Sequence, residues 1–173
     1  MGQLALRGLY LGAILAYAGV VLVVSLALPD RVPLHFDGSG SADRYGSRTE
    51  AVLVFVGTGI LVLAVFATCA WAVRRASLQW FNVPHKRWWT ATPEREAVLR
   101  GRVATDIDVL AIATLLLLTV VVAMVGRAAR DDVGLGAGAW VALGLYLVFV
   151  AGWSAWAMTT RYRPDPEQDG TVG

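Results

Sequence analysis

The chain has 173 residues, 57% of them hydrophobic and 16% charged, with a formal net charge of +2 and a mean hydropathy of +0.58. A soluble domain carries about 25% charged residues, so this composition points to a chain built for lipid. So small and clustered a charge excludes nucleic acid as an expected partner. The lone cysteine, Cys69, excludes an intrachain disulfide framework and a CxxC or zinc-knuckle site. Within an apolar run it reads as a buried bystander thiol.

Four apolar runs set the fold class. Residues 8–28, 51–73, 109–126 and 133–160 carry no Asp, Glu, Lys or Arg, and each approaches or exceeds the length of a span. About 20 apolar residues in a helix cross the hydrocarbon core, and such a helix satisfies its own backbone hydrogen bonds. The expectation is an all-α integral membrane protein. Residues 1–160 form a single four-transmembrane-helix bundle, and residues 161–173, with two prolines and three acids, form a disordered tail.

In chain order, the first run contains Gly8, Gly12 and Ala16 at a spacing that lets helices approach closely. Packing inside the bundle is expected of them ahead of a dimer face, although a homo-oligomer is compatible with the pattern. Ser25-Leu26-Ala27 has the small-x-small form of a signal-peptidase site. The uncharged stretch exceeds an h-region of about 7–15 residues, and Arg7 is a thin n-region, so a retained helix is expected.

Residues 29–50, LPDRVPLHFDGSGSADRYGSRTE together with Leu28, are a long polar break rich in Pro and Gly. Only Val32 to Phe36 resembles an extended segment. His35, Asp37 and Asp43 are metal-competent side chains, and with water they offer a weak candidate set for zinc or a similar cation. Their spacing matches neither an HExxH helix nor an EF-hand loop. Asp is also an ordinary turn former, and turn scaffolding is the simpler reading. No cofactor is implied.

Residues 74–108 are the second informative stretch. Arg74 and Arg75 end the second run. Trp80, Phe81, Trp88 and Trp89 then interleave with Lys86 and Arg87, as at a lipid–water interface beside anionic headgroups. Thr92-Pro93-Glu94 reads as a helix start. Ala97, Val98, Gly101 and Ala104 follow at helical spacing, which suggests a short interfacial helix leading into the third span. An anchoring role is favoured over docking of a cytoplasmic partner. Asp106 and Asp108 read as solvated acids of an N-terminal turn.

In the fourth run, Gly134, Gly138 and Ala142 repeat the small-residue pattern, and Trp140, Trp153 and Trp156 read as interfacial anchors. The ends of the chain and the 74–108 loop hold ten of the fifteen basic residues. The positive-inside rule therefore places both termini in the cytoplasm and the 29–50 loop outside. His35 and His85 then lie on opposite sides and cannot share a site. No GxSxG, HExxH or Walker pattern is present, and the spans offer hydroxyls and Cys69 in place of a catalytic set, so no enzyme is expected.

The two loops together carry a resemblance. Pro33, His35, Phe36, Gly40, Asp43, Gly46 and Ser47 follow the pattern Pro-x-His-Phe-Asn-x-x-Gly-x-x-Asp-x-x-Gly-Ser-Lys, with Asp37 at the Asn position and Arg48 at the Lys position. Asn82, Pro84, Lys86, Trp89, Pro93, Glu94 and Arg95 follow a second pattern, from which His85 and Trp88 depart. This pair resembles an uncharacterised bacterial membrane domain, a domain of unknown function shared with the N-terminal part of SdpI-type toxin-immunity proteins. The resemblance covers roughly residues 8–108. It implies a multi-pass protein of the bacterial cytoplasmic membrane and, in SdpI-like members, immunity to an extracellular toxin and capture of a cytoplasmic regulator. A small transporter or an accessory subunit of a larger membrane complex is the alternative. Apart from the lipid bilayer, no partner is fixed by the residues.

Overall fold

A computed structural model describes residues 2–164. The chain is mostly helical and contains four helices long and apolar enough to cross a membrane, as in a multi-pass membrane protein. In order these are α1 (Gln3–Ala27), α2 (Arg48–Arg75), α4 (Pro93–Asp131) and α5 (Gly136–Trp156), the last continued by a π-helical turn, Ala157–Arg161. A hairpin of β1 (Arg31–Phe36) and β2 (Ala42–Ser47) joins α1 to α2. A short helix, α3 (Lys86–Trp89), lies in the connection from α2 to α4.

The helix α4 is the hub. Ala13, Tyr17, Val21 and Val24 of α1, with Leu28 just past its end, recur every three or four residues and form one buried stripe. That stripe meets Leu115, Val122 and Val125 of α4 and Phe55 of α2. The Tyr17 hydroxyl donates to the Phe55 carbonyl at 2.5 Å, and its ring lies against Gly59, where a Cβ would collide with it. By contrast α5 buries none of its 21 residues fully.

Several expectations change. The α4 helix runs unbroken for 39 residues from Pro93, so the amphipathic stretch and the third span are one element. Thr92 caps its start by accepting from the Arg95 amide, with Pro93 at the first position. Helix α2 begins at Arg48, three residues ahead of the apolar run, because Ser47 accepts from the Glu50 amide at 3.1 Å. The polar break contains a second strand, β2, absent from the sequence reading. Gly8 and Gly12 face open space, not a neighbouring helix. Cys69 is exposed on α2, not buried. Of the segment expected to be a disordered tail, Arg161 closes the π-helical turn and Tyr162 is buried; residues 165–173 lie outside the described residues.

Candidate functional site

The strand β1 anchors the hairpin because Val32 and Pro33 are buried, Val32 within the cluster that includes Leu28 and Ala51. β2 pairs with it antiparallel, Arg31 opposite Ser47 and Pro33 opposite Tyr45. The register shifts on both sides of His35, which pairs with Arg44 in the ladder. The His35 ring turns to the preceding residue of β2, with Nδ1 2.6 Å from Asp43 Oδ1. Both side chains are well exposed, at 65% and 48%, so the pair adds little stability and shapes a polar surface.

The hairpin turn is organised by Asp37. Its Oδ1 accepts from the Ser39 amide at 2.8 Å, the Ser39 hydroxyl at 2.6 Å and the Ser41 amide at 3.0 Å. The Ser39 hydroxyl above all, with the Ser41 amide next, holds the Asp37 carboxyl below its ordinary range. Gly40 then takes φ +84, a left-handed conformation that glycine adopts without strain. This leaves the Gly40 carbonyl free to accept from the Leu135 amide at 3.0 Å, which docks the turn on the α4–α5 connection. Gly134 permits the approach, since a Cβ there would lie 2.5 Å from the Gly40 oxygen.

The base of the hairpin is fixed as well. Arg48 donates to the Ser25 carbonyl at 2.8 and 3.1 Å and to the Leu26 carbonyl at 3.2 Å. It thereby satisfies carbonyls that the end of α1 leaves without helical partners. Arg44 pairs with Glu50 at 2.5 Å, and the Arg31 guanidinium stacks on the Tyr45 ring at 4.2 Å. Gly46 is crowded by Leu34 and Glu50, where a side chain would collide. Phe36 is half-buried against the main core.

His35, Asp37 and Asp43 are therefore split between two tasks. His35 and Asp43 face each other, while Asp37 is turned into its own loop. Among the described residues no group of three or more His, Cys, Asp or Glu side chains is placed to hold a metal ion.

At the other end of the bundle the second motif folds into a compact cluster. Trp89 is 1% exposed and packs with Leu78, Leu99, Ala157 and Tyr162. Its Nε1 donates to the Tyr162 carbonyl at 3.0 Å. Trp88 meets Trp89 edge to face and carries Arg95 over its ring at 4.1 Å. Arg100 donates to the Val73 and Ala76 carbonyls at the end of α2, and Arg102 donates to the Arg161 carbonyl. Asn82 and His85 are exposed, Pro84 and Lys86 half-buried, and Pro93 and Glu94 exposed in the first turn of α4. Helix α2, 28 residues long, separates His85 from His35.

Asp106 overturns its sequence reading. It lies in the interior of α4, not in an N-terminal turn, and is the one buried charged side chain among the described residues, 7% exposed. The Tyr162 hydroxyl donates to it at 2.5 Å and Trp153 Nε1 at 3.3 Å. Arg161 Nε lies 3.0 Å away as an ion pair, without the alignment of a hydrogen bond. Burial, then the neighbouring Asp106, pushes the Tyr162 phenol far above its ordinary value. Trp153 is thus a ligand of a buried carboxylate as well as an aromatic near the end of a span. Leu99, Val103 and Asp106 share one face of α4 at helical spacing, a signal present in the sequence that marks Asp106 as inward-facing.

Residues 12–60 match the family described as Domain of unknown function (DUF1648). The matched stretch runs from within α1 through the whole hairpin into α2, and the 82–95 motif lies beyond it. No curated protein matches the chain, and no solved structure does.

Proposed function

We propose that the chain is a non-enzymatic, SdpI-like protein of a bacterial cytoplasmic membrane, with both termini in the cytoplasm, and that the hairpin is its outward-facing recognition element. The role is immunity to an envelope-active toxin or sensing of an envelope signal. The observation that carries this reading is the double anchoring of the hairpin: Gly40 to Leu135 at its tip and Arg48 to Ser25 and Leu26 at its base. A polar, exposed surface held in one conformation loses little freedom on binding, which favours recognition. The cluster around Trp89 and Asp106 ties the opposite loop to α4 and α5, and a cytoplasmic regulator would meet that face.

The test is a deletion strain challenged with a panel of envelope-active toxins. Sensitivity should change on deletion, return to normal with the intact gene, and fail to return with His35→Ala or Asp43→Ala at equal protein levels. Unchanged sensitivity across the panel would sink the reading.

An accessory-subunit role is supported by one feature. Helix α5 buries no residue fully, and it leaves Trp140, Leu145 and Val148 exposed. Purification in mild detergent would then recover a stoichiometric partner, and recovery of the chain alone would dismiss it.

A further inference from the structure

Between the hairpin and the α4–α5 connection lies a cavity of about 460 Å³ with both polar and apolar walls. We infer that it binds a small zwitterion, Arg31 receiving the oxyanion and Asp132 the ammonium. The volume falls within the range of about 300–1,000 Å³ typical of small-molecule sites. The walls are fixed in advance, because the Gly40–Leu135 hydrogen bond and the close contact of Gly134 with Gly40 join the two segments that enclose the space.

The cavity is lined by side chains of both charge signs, Arg31 and Asp132. The face of the Arg31 guanidinium is occupied by the Tyr45 ring at 4.2 Å. Stacking leaves the N–H edge of a guanidinium available, and that edge matches a carboxylate or phosphate. Among the described residues Arg31 has no carboxylate partner and Asp132 no cationic one, although both line the same cavity. Asp132 caps the C-terminal end of α4 in the left-handed region at φ 51, a conformation Asp adopts more readily than most non-glycine residues. Pro33, Ala129 and Val133 add apolar lining to the same cavity.

An ammonium with an oxyanion is carried both by a free amino acid or dipeptide and by the headgroup of phosphatidylethanolamine. This inference deepens the recognition reading and rests on it only for the side of the membrane that the cavity faces. Binding is measured on purified protein, so its failure and a failure of toxin protection are separate results.

The experiment places the full chain in nanodiscs of phosphatidylglycerol and titrates L-alanyl-L-alanine in one arm and O-phosphoethanolamine in the other, followed by calorimetry. Saturable binding in the first arm identifies an amino acid or peptide. Binding in the second, with competition when phosphatidylethanolamine is added to the disc, identifies the headgroup. In either case Arg31→Gln and Asp132→Asn should each weaken binding about tenfold or more, the expected loss of a charge-assisted contact. Arg31→Lys should retain more affinity than Arg31→Gln, and N-acetylation of the dipeptide should weaken it as Asp132→Asn does. The proposal is overturned if neither probe saturates in the millimolar range, or if a probe binds equally well to the folded Arg31→Gln and Asp132→Asn proteins.

Discussion

Replacing Asp106 by alanine should destabilise the bundle more than any single change at the hairpin surface. Asp106 and Arg161 retain only 10% and 22% of their side-chain exposure, so the pair is mostly removed from water. Breaking a buried pair by removing one partner costs about 3–5 kcal/mol in soluble proteins. Two considerations reduce that figure here. Polar contacts between membrane helices average about 0.6 kcal/mol and reach about 1.7. Arg161 is also the last residue of the fourth span and can extend toward water once released. Against this, Tyr162 and Trp153 would lose their acceptor together with Arg161. The balance gives about 2–3 kcal/mol for Asp106→Ala and about half of that for Asp106→Asn, which keeps the acceptor and loses the charge. Equilibrium unfolding of the purified protein, by adding SDS to mild-detergent micelles, measures both. Asp43→Ala serves as the exposed reference and should cost no more than about 0.5–1 kcal/mol. An Asp106→Ala protein as stable as Asp43→Ala would refute the idea that this carboxylate ties α5 to the bundle.

Two further outcomes follow from the hairpin. Gly134→Ala should lift the turn from the α4–α5 connection, since the new Cβ would meet the Gly40 carbonyl at 2.5 Å; overpacking of this kind costs about 1–3 kcal/mol, and hydrogen exchange at the Leu135 amide should accelerate while Tyr17 and Phe55 in the core stay protected. The Asp37 pKa is lowered from 3.8, chiefly by the Ser39 hydroxyl, so its contribution to the turn is fully present above that value and is lost as the pH falls below it through the folded-state pKa. Amide NMR shifts of Ser39 and Ser41 should therefore stay constant from neutral pH down to the ordinary carboxylate range and move only below it, and Asp37→Asn should abolish that movement.

The four spans are legible in the sequence because lipid imposes a length and an apolar composition that few other structures share. The hairpin is legible only in part. Ala42–Ser47 is short, polar and interrupted by Gly46, so it shows no alternation of apolar and polar residues; it becomes a strand because buried Val32 and Pro33 hold its partner against the bundle. The true start of α2 is encoded in Ser47-Arg48-Thr49-Glu50, a Ser-x-x-Glu capping pattern, which hydropathy alone passes over. The burial of Asp106 is written in its spacing from Leu99 and Val103. Its partners are not, because Arg161 and Tyr162 lie 55 and 56 residues away in a segment whose composition resembles a free tail. The open space beside Gly8 and Gly12 has no counterpart in the sequence, since a small-residue stripe reads the same whether or not a neighbour covers it.

The recognition reading depends most directly on which side of the membrane the hairpin occupies. A single cysteine at the turn, Ser39→Cys in a Cys69→Ala background, can be probed in intact cells with a membrane-impermeant maleimide. Labelling of intact cells, blocked by prior treatment with an impermeant thiol reagent, is the expected result. Labelling that appears only after the cells are broken would place the hairpin inside and contradict the account.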